Sequence, residues 1–201
     1  MNYGRTLWII AACIALVGCG QKAKKPSKEL QAIHRATASV LAEQVNSQVP
    51  DGGSVLFAHR QAAEVIARSW LQGLADELDG RFTLVTYGLE ELSEDVAASF
   101  EGDEPLAEAM RSHEDVVAVI TAIDFDPRKY RTLPLTDVPM FALEWPDLET
   151  AGPLFNVGLL KAGIFEREQR GPAPEGSSME EIMSPRYLLA TTDNWKALVG
   201  Q

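Results

Sequence analysis

Asp115–Ile123, read DVVAVITAI, is the stretch on which the fold turns. Val116, Val117, Val119 and Ile120 are β-branched and follow one another with only Ala118 between them. A strand with one wet face alternates apolar and polar side chains. An unbroken β-branched run belongs to a strand covered on both faces, as in a parallel sheet sandwiched between helices.

Working outward, short apolar runs recur on either side. SVLFA (54–58) and RFTLVTY (81–87) read as strands before it, and VPMFALEW (138–145), IFERE (164–168) and YLLAT (187–191) as strands after it. Helical patterns lie between them. Ala63, Ile66, Trp70, Leu74 and Leu78 make one stripe across residues 61–79, which Asp79-Gly80 closes. PLAEAMRSH (105–113) reads as a second helix, and residues 151–162 as another that ends at Gly163.

Ahead of the first strand, residues 28–49 place Leu30, Ile33, Thr37, Val40, Leu41 and Val45 at helical spacing, with Ser27 as N-cap. His34 on this helix is expected at the surface. Pro50-Asp51-Gly52-Gly53 is a turn, Asp126-Pro127 breaks the central strand, and GPAPEGSS (171–178) is a loop before a short helical turn at MEEIM. Strand and helix in alternation predict an α/β domain over residues 29–201. It is a three-layer fold, with a mostly parallel sheet of about five or six strands and helices on both sides.

The N-terminus reads differently. Leu7–Val17, LWIIAACIALV, is an 11-residue apolar run behind Arg5 and ahead of Gly18 and Gly20. It falls short of the roughly 20 residues a spanning helix needs. A basic start, a short apolar run and a small-residue boundary describe a secretory signal peptide over residues 1–18. Leu16-Val17-Gly18-Cys19 resembles the lipobox of bacterial lipoproteins. That resemblance implies cleavage before Cys19 and lipid on its sulfur and its amino group. Several acyl chains on one residue anchor stably, where one chain holds marginally. Gly20 is not the aspartate that marks inner-membrane retention in some lipoproteins. The expected location is the cell envelope, facing the periplasm, with the outer membrane favoured over the inner. Cys13 would leave with the signal, so the domain is expected to hold no disulfide.

Charge divides along the chain. Residues 19–28 form the lipidated cysteine and a linker carrying Lys22, Lys24, Lys25 and Lys28 without an acid. From Glu29 onward, 13 Lys and Arg face all 29 Asp and Glu, a formal charge of −16. The basic linker suits anionic headgroups, and the acidic body lacks the basic patch that nucleic acid requires.

The order of pieces also resembles one lobe of the type 1 periplasmic sugar-binding proteins. The pieces are RSWLQGL (68–74), LAEAM before DVVAVI, VPMFALE, GLLKAGIFER (158–167) and the ending YLLATTDNW. The resemblance spans residues 53–195 and implies a solute-binding lobe. That family has two lobes with the ligand between them, and this chain has length for one.

Open α/β sheets gather ligands at the carboxyl ends of their strands. Those positions give His59 and Arg60, Tyr87, Asp124 and Asp126, then Glu144 and Trp145 as candidate ligand-binding residues. Polar edges beside an aromatic face suit a small polar ligand such as a sugar. Asp124, Asp126 and Glu144 also offer oxygen ligands for Mg2+ or Ca2+. His113 is expected to be solvated. No nucleophile elbow, phosphate loop, zinc-protease or dinucleotide-cofactor motif is present. Three readings follow: a non-catalytic binding lobe, a structural or assembly module working through an envelope protein partner, and a metal-assisted hydrolase using the three carboxylates.

Overall fold

A computed structural model describes residues 27–49, 52–60, 64–78, 80–89, 105–113, 115–123, 137–167, 183 and 185–199. Cys19, Asp124, Asp126, the 171–178 loop and most of MEEIM lie outside the described residues.

The chain opens with helix α1 (Lys28–Gln48), whose N-cap Ser27 accepts from Leu30 N–H at 3.1 Å. Strand β1 (Gly53–Arg60) follows, then α2 (Glu64–Leu78) and β2 (Phe82–Leu89). After these come α3 (Pro105–Arg111), β3 (Val116–Thr121), β4 (Met140–Trp145), α4 (Leu148–Asn156), β5 (Leu160–Glu166) and β6 (Tyr187–Thr191). A short helix, α5 (Trp195–Leu198), closes the described chain. The six strands form one sheet in the order β2-β1-β3-β4-β5-β6. Every pairing is parallel except that of β6 with β5. The expected three-layer α/β lobe is therefore the one observed.

Right-handed crossovers decide which helix lies on which face. The chain moves from β1 outward to β2, then back past β1 to β3, so α2 and α3 fall on opposite faces. One core joins Leu56, Val119, Met140, Ala142 and Leu160 to α3 and α4 through Leu106, Met110, Leu154 and Phe155. The other joins Val55, Phe57, Ile120, Phe141, Leu143 and Ile164 to Trp70 and Leu74 of α2 and to Ile33, Leu41 and Val45 of α1. On this second face α2 packs along β2, and α1 lies beside it over β4 and β5. Among the described residues, α1 is the helix that covers the apolar residues of those two strands.

Two local differences from the sequence reading have simple causes. The helix predicted over residues 151–162 runs from Leu148 to Asn156 instead, because Asp147 caps its start by accepting from Glu149 N–H at 2.8 Å. It stops at Gly158, which takes the left-handed conformation at φ +73 that glycine adopts without strain. Strand β5 consequently begins at Leu160, and Gly163 sits inside it rather than ending a helix. His34 is buried, not at the surface, because α1 is pressed against both α2 and the sheet.

The close crossing of α1 and α2 depends on Gly73. A Cβ placed there would overlap the carbonyl oxygen of Arg35 and come within 2.9 Å of Ala38 Cβ. Ser39 Oγ donates to the Gly73 carbonyl at 3.3 Å in the same crossing. Gly73→Ala is expected to cost about 1–3 kcal/mol through overpacking. Gly80→Ala, at φ +75 in open space, meets no steric contact and should cost about 1 kcal/mol from backbone strain alone. Urea unfolding of both variants checks the order.

Candidate functional site

Glu144 is the second-last residue of β4, and its local backbone departs from the strand. The β4–β5 register shifts between Ala142 and Trp145, and Glu144 has φ +56. A bulge of this kind places two successive side chains on one face. Leu143 packs in the core beneath α1 and α2, Glu144 points to the same side, and Trp145 returns to the opposite core. A regular strand would have sent Glu144 and Trp145 to the reverse faces.

The Glu144 side chain is 6% exposed and is met by four protein donors. Its Oε1 accepts from Trp70 Nε1–H at 2.8 Å and from Thr37 Oγ1 at 2.5 Å, and lies 2.7 Å from His34 Nδ1. Its Oε2 accepts from Tyr187 O–H at 3.1 Å. The donors come from α1, α2 and β6, so one carboxylate ties both helices and the returning strand to the sheet. His34 and Thr37 sit three residues apart and share the buried face of α1, while the Thr37 hydroxyl also lies 2.9 Å from the His34 carbonyl. The His34 and Trp70 rings meet edge to face at 5.6 Å, and Trp70 meets Phe57 in the same way at 6.1 Å.

The predicted rim residues are divided by the sheet. His59 ends β1 on the α1–α2 side, buried, its ring 5.2 Å from that of Phe57. Glu144 joins it on that side. Tyr87 packs against the opposite core and meets His113 edge to face at 6.1 Å. His113 is half-buried, not solvated, with Nδ1 2.9 Å from the Ala109 carbonyl. Trp145 is 4% exposed, donates from Nε1 to the Thr121 carbonyl at 3.0 Å, and packs on Phe165. Arg60 closes β1 through its backbone, and Asp124 and Asp126 lie outside the described residues. Among the described residues no group of three His, Cys, Asp or Glu is placed to hold a metal ion.

Four members of the cluster were not singled out as site residues from sequence: His34, Thr37, Trp70 and Tyr187. Their trace in the sequence is polar capacity inside apolar stripes, with Thr37 and Trp70 both on helix faces read as core. The carboxylate of the cluster is matched by protein donors on both oxygens.

No known protein family matches the chain, and no curated protein matches it in sequence. Solved structures do match in fold. A transporter solute-binding protein from Burkholderia graminis in complex with D-arabinose superposes with a TM-score of 0.56 at 13% identity, covering 83% of this chain and 62% of that one. A carbohydrate-transporter solute-binding protein from Agrobacterium radiobacter, also with D-arabinose, gives 0.54 at 11% identity over 83% and 63% of the two chains. A glucose-galactose binding protein from Geobacillus stearothermophilus gives 0.55 at 8% identity over 80% and 61%. The chain thus has the fold of a periplasmic-binding-protein-like lobe and spans about three fifths of the length of these structures. No described helix is long and apolar enough to cross a membrane.

Removing the carboxylate leaves its donors buried and unmatched. Glu144→Ala is expected to lose about 3–5 kcal/mol of stability, since several buried donors lose their acceptor at about 1–3 kcal/mol each. Glu43→Ala on the exposed face of α1 should stay within about 0.5 kcal/mol of wild type. Parallel denaturant titrations of the two variants make the comparison.

Proposed function

We propose that this chain is a lipid-anchored envelope protein whose single lobe has a non-catalytic binding role. Cys19 carries the lipid, the basic linker lies along the membrane surface, and the acidic lobe stands off it toward the periplasm. The observation that carries the reading is the fold, a lobe built like those of solute-binding proteins, some of them described in complex with D-arabinose. The ligand is a small polar molecule at the carboxyl rim of the sheet. His59, Arg60, Asp124 and Asp126 are the contacts this reading uses most.

A second reading is favoured by the placement of the aromatics. Trp145 is committed to the core and offers no bare ring for stacking, while Tyr87 is half-buried against His113. This supports a module that acts through contacts with an envelope protein partner. The metal-assisted alternative draws less support, since a cation at Glu144 would have to displace donors from both oxygens.

A thermal-shift screen of the full chain with sugars, amino acids, nucleosides and divalent ions separates the three. A true ligand at a hundredfold excess over its Kd stabilises by about 2.7 kcal/mol. For a chain of this size that corresponds to a Tm rise of roughly 5–10 °C. The rise should disappear in Asp124→Ala or His59→Ala. A flat screen on folded protein defeats the small-molecule reading and leaves the protein partner. A response confined to Mg2+ or Ca2+ favours the metal site. For the anchor, Cys19→Ser is expected to move the protein from the membrane fraction to the soluble one.

A further inference from the structure

Strand β6 ends the sheet, so one of its edges pairs with β5 and the other faces away from it. Two backbone bonds fix which groups lie on which edge. Arg167 N–H donates to the Arg186 carbonyl at 2.8 Å, and Thr192 N–H donates to the Lys161 carbonyl at 3.2 Å. Antiparallel bonding alternates along a strand, so Arg186, Leu188, Ala190 and Thr192 turn their backbone groups to β5. Tyr187, Leu189 and Thr191 turn theirs outward. The strand YLLAT carries no charge, and an uncharged apolar edge is a template for a strand from another chain. A second copy of β6 fits this template. Laid antiparallel about a two-fold axis at Leu189, it sets Tyr187 of each copy opposite Thr191 of the other, and every outward donor meets an acceptor.

Side chains of the chain itself hold these outward groups. Asn194 Oδ1 accepts from Thr191 N–H at 2.7 Å, while Asn194 Nδ2 donates to the Leu189 carbonyl at 3.3 Å. One side-chain amide thus makes the donor and acceptor pair that a peptide group of an added strand would make. The Thr191 carbonyl accepts from Asn194 N–H at 3.3 Å, and the Tyr187 carbonyl from Arg167 Nε at 3.2 Å. Asn194 is also the N-cap of α5, where an asparagine ordinarily accepts from an N–H of the first helical turn. Its side chain makes no such bond and is turned to the strand instead. We infer that the Asn194 amide is a plug on the β6 edge, standing in for a neighbouring strand and keeping two copies of this chain from joining into one continuous sheet. Asn194 is exposed, so the plug sits where an arriving strand would have to displace it.

The test is sedimentation velocity of the full chain over a concentration series. Non-ionic detergent is present with micelles in excess over protein, because the Leu7–Val17 run is apolar. Asn194→Ala removes both amide bonds and is expected to associate one step further than wild type, doubling the sedimenting mass as concentration rises. Adding Thr191→Pro to Asn194→Ala should return it to the wild-type mass, because proline lacks the outward N–H and leaves the ladder to β5 intact. Hydrogen exchange reads the plug in the unaltered protein. The Thr191 amide, though on the outer edge, should exchange more slowly than in an unstructured chain by about tenfold or more. A folded Asn194→Ala that sediments as wild type does overturns the inference. So does association that survives Thr191→Pro, or a wild-type dimer that Thr191→Pro dissolves. If Asn194→Ala does not fold, the exchange measurement decides: a Thr191 amide as fast as in an unstructured chain means that the edge is open and no plug exists.

Discussion

The buried carboxylate of Glu144 is the constraint on which the arrangement of this lobe depends. A carboxylate taken out of water is costly unless its oxygens are matched by donors. Here the donors come from residues 34, 37, 70 and 187, spread over nearly the whole folded chain. All four reach Glu144 together only when α1, α2 and β6 are docked. The bulge that aims the side chain costs about 1–2 kcal/mol of left-handed backbone strain. The donors that offset this strain are brought together in the docked arrangement of α1, α2 and β6.

Right-handed crossovers explain why α1 is needed at all. The β1-α2-β2 unit places α2 over one end of the sheet, while α3 and α4 go to the other face. Among the described residues, Phe141, Leu143, Ala162 and Ile164 of the later strands then have no crossover helix above them. Helix α1, which precedes the first strand, closes this gap and is held there by the Gly73 crossing and by the Glu144 donors.

The strands were legible because each is a short run of β-branched or aromatic residues bounded by turn formers, and β6 lies where its sequence placed it, at residues 187–191. The helix after β4 was less so. Its apolar run continues without a break into β5, and the boundary is set by the Asp147 cap and the left-handed Gly158 rather than by periodicity. Of the candidate rim, Glu144 was picked out by its place at a strand end, but its role was not. In the pattern VPMFALEW, strict alternation puts Glu144 with Met140 and Ala142, and only the bulge reverses it. His34 was misjudged because a histidine on a helix looks exposed unless the partner that needs it is known.

The amino-acid sequence by itself determined the class of fold, since period-two and helical patterns are local and each residue's chemistry decides whether a face is wet or dry. For the same reason it indicated about five or six strands and their succession along the chain, together with the acidic character of the body. The tertiary structure decided which strand ends share a face and which polar groups meet. These depend on crossover handedness, on one bulge, and on contacts between residues more than a hundred positions apart, as between His34 and Glu144. No window of sequence contains such a contact, because the energy that holds it exists only when both helices and the sheet are already in place.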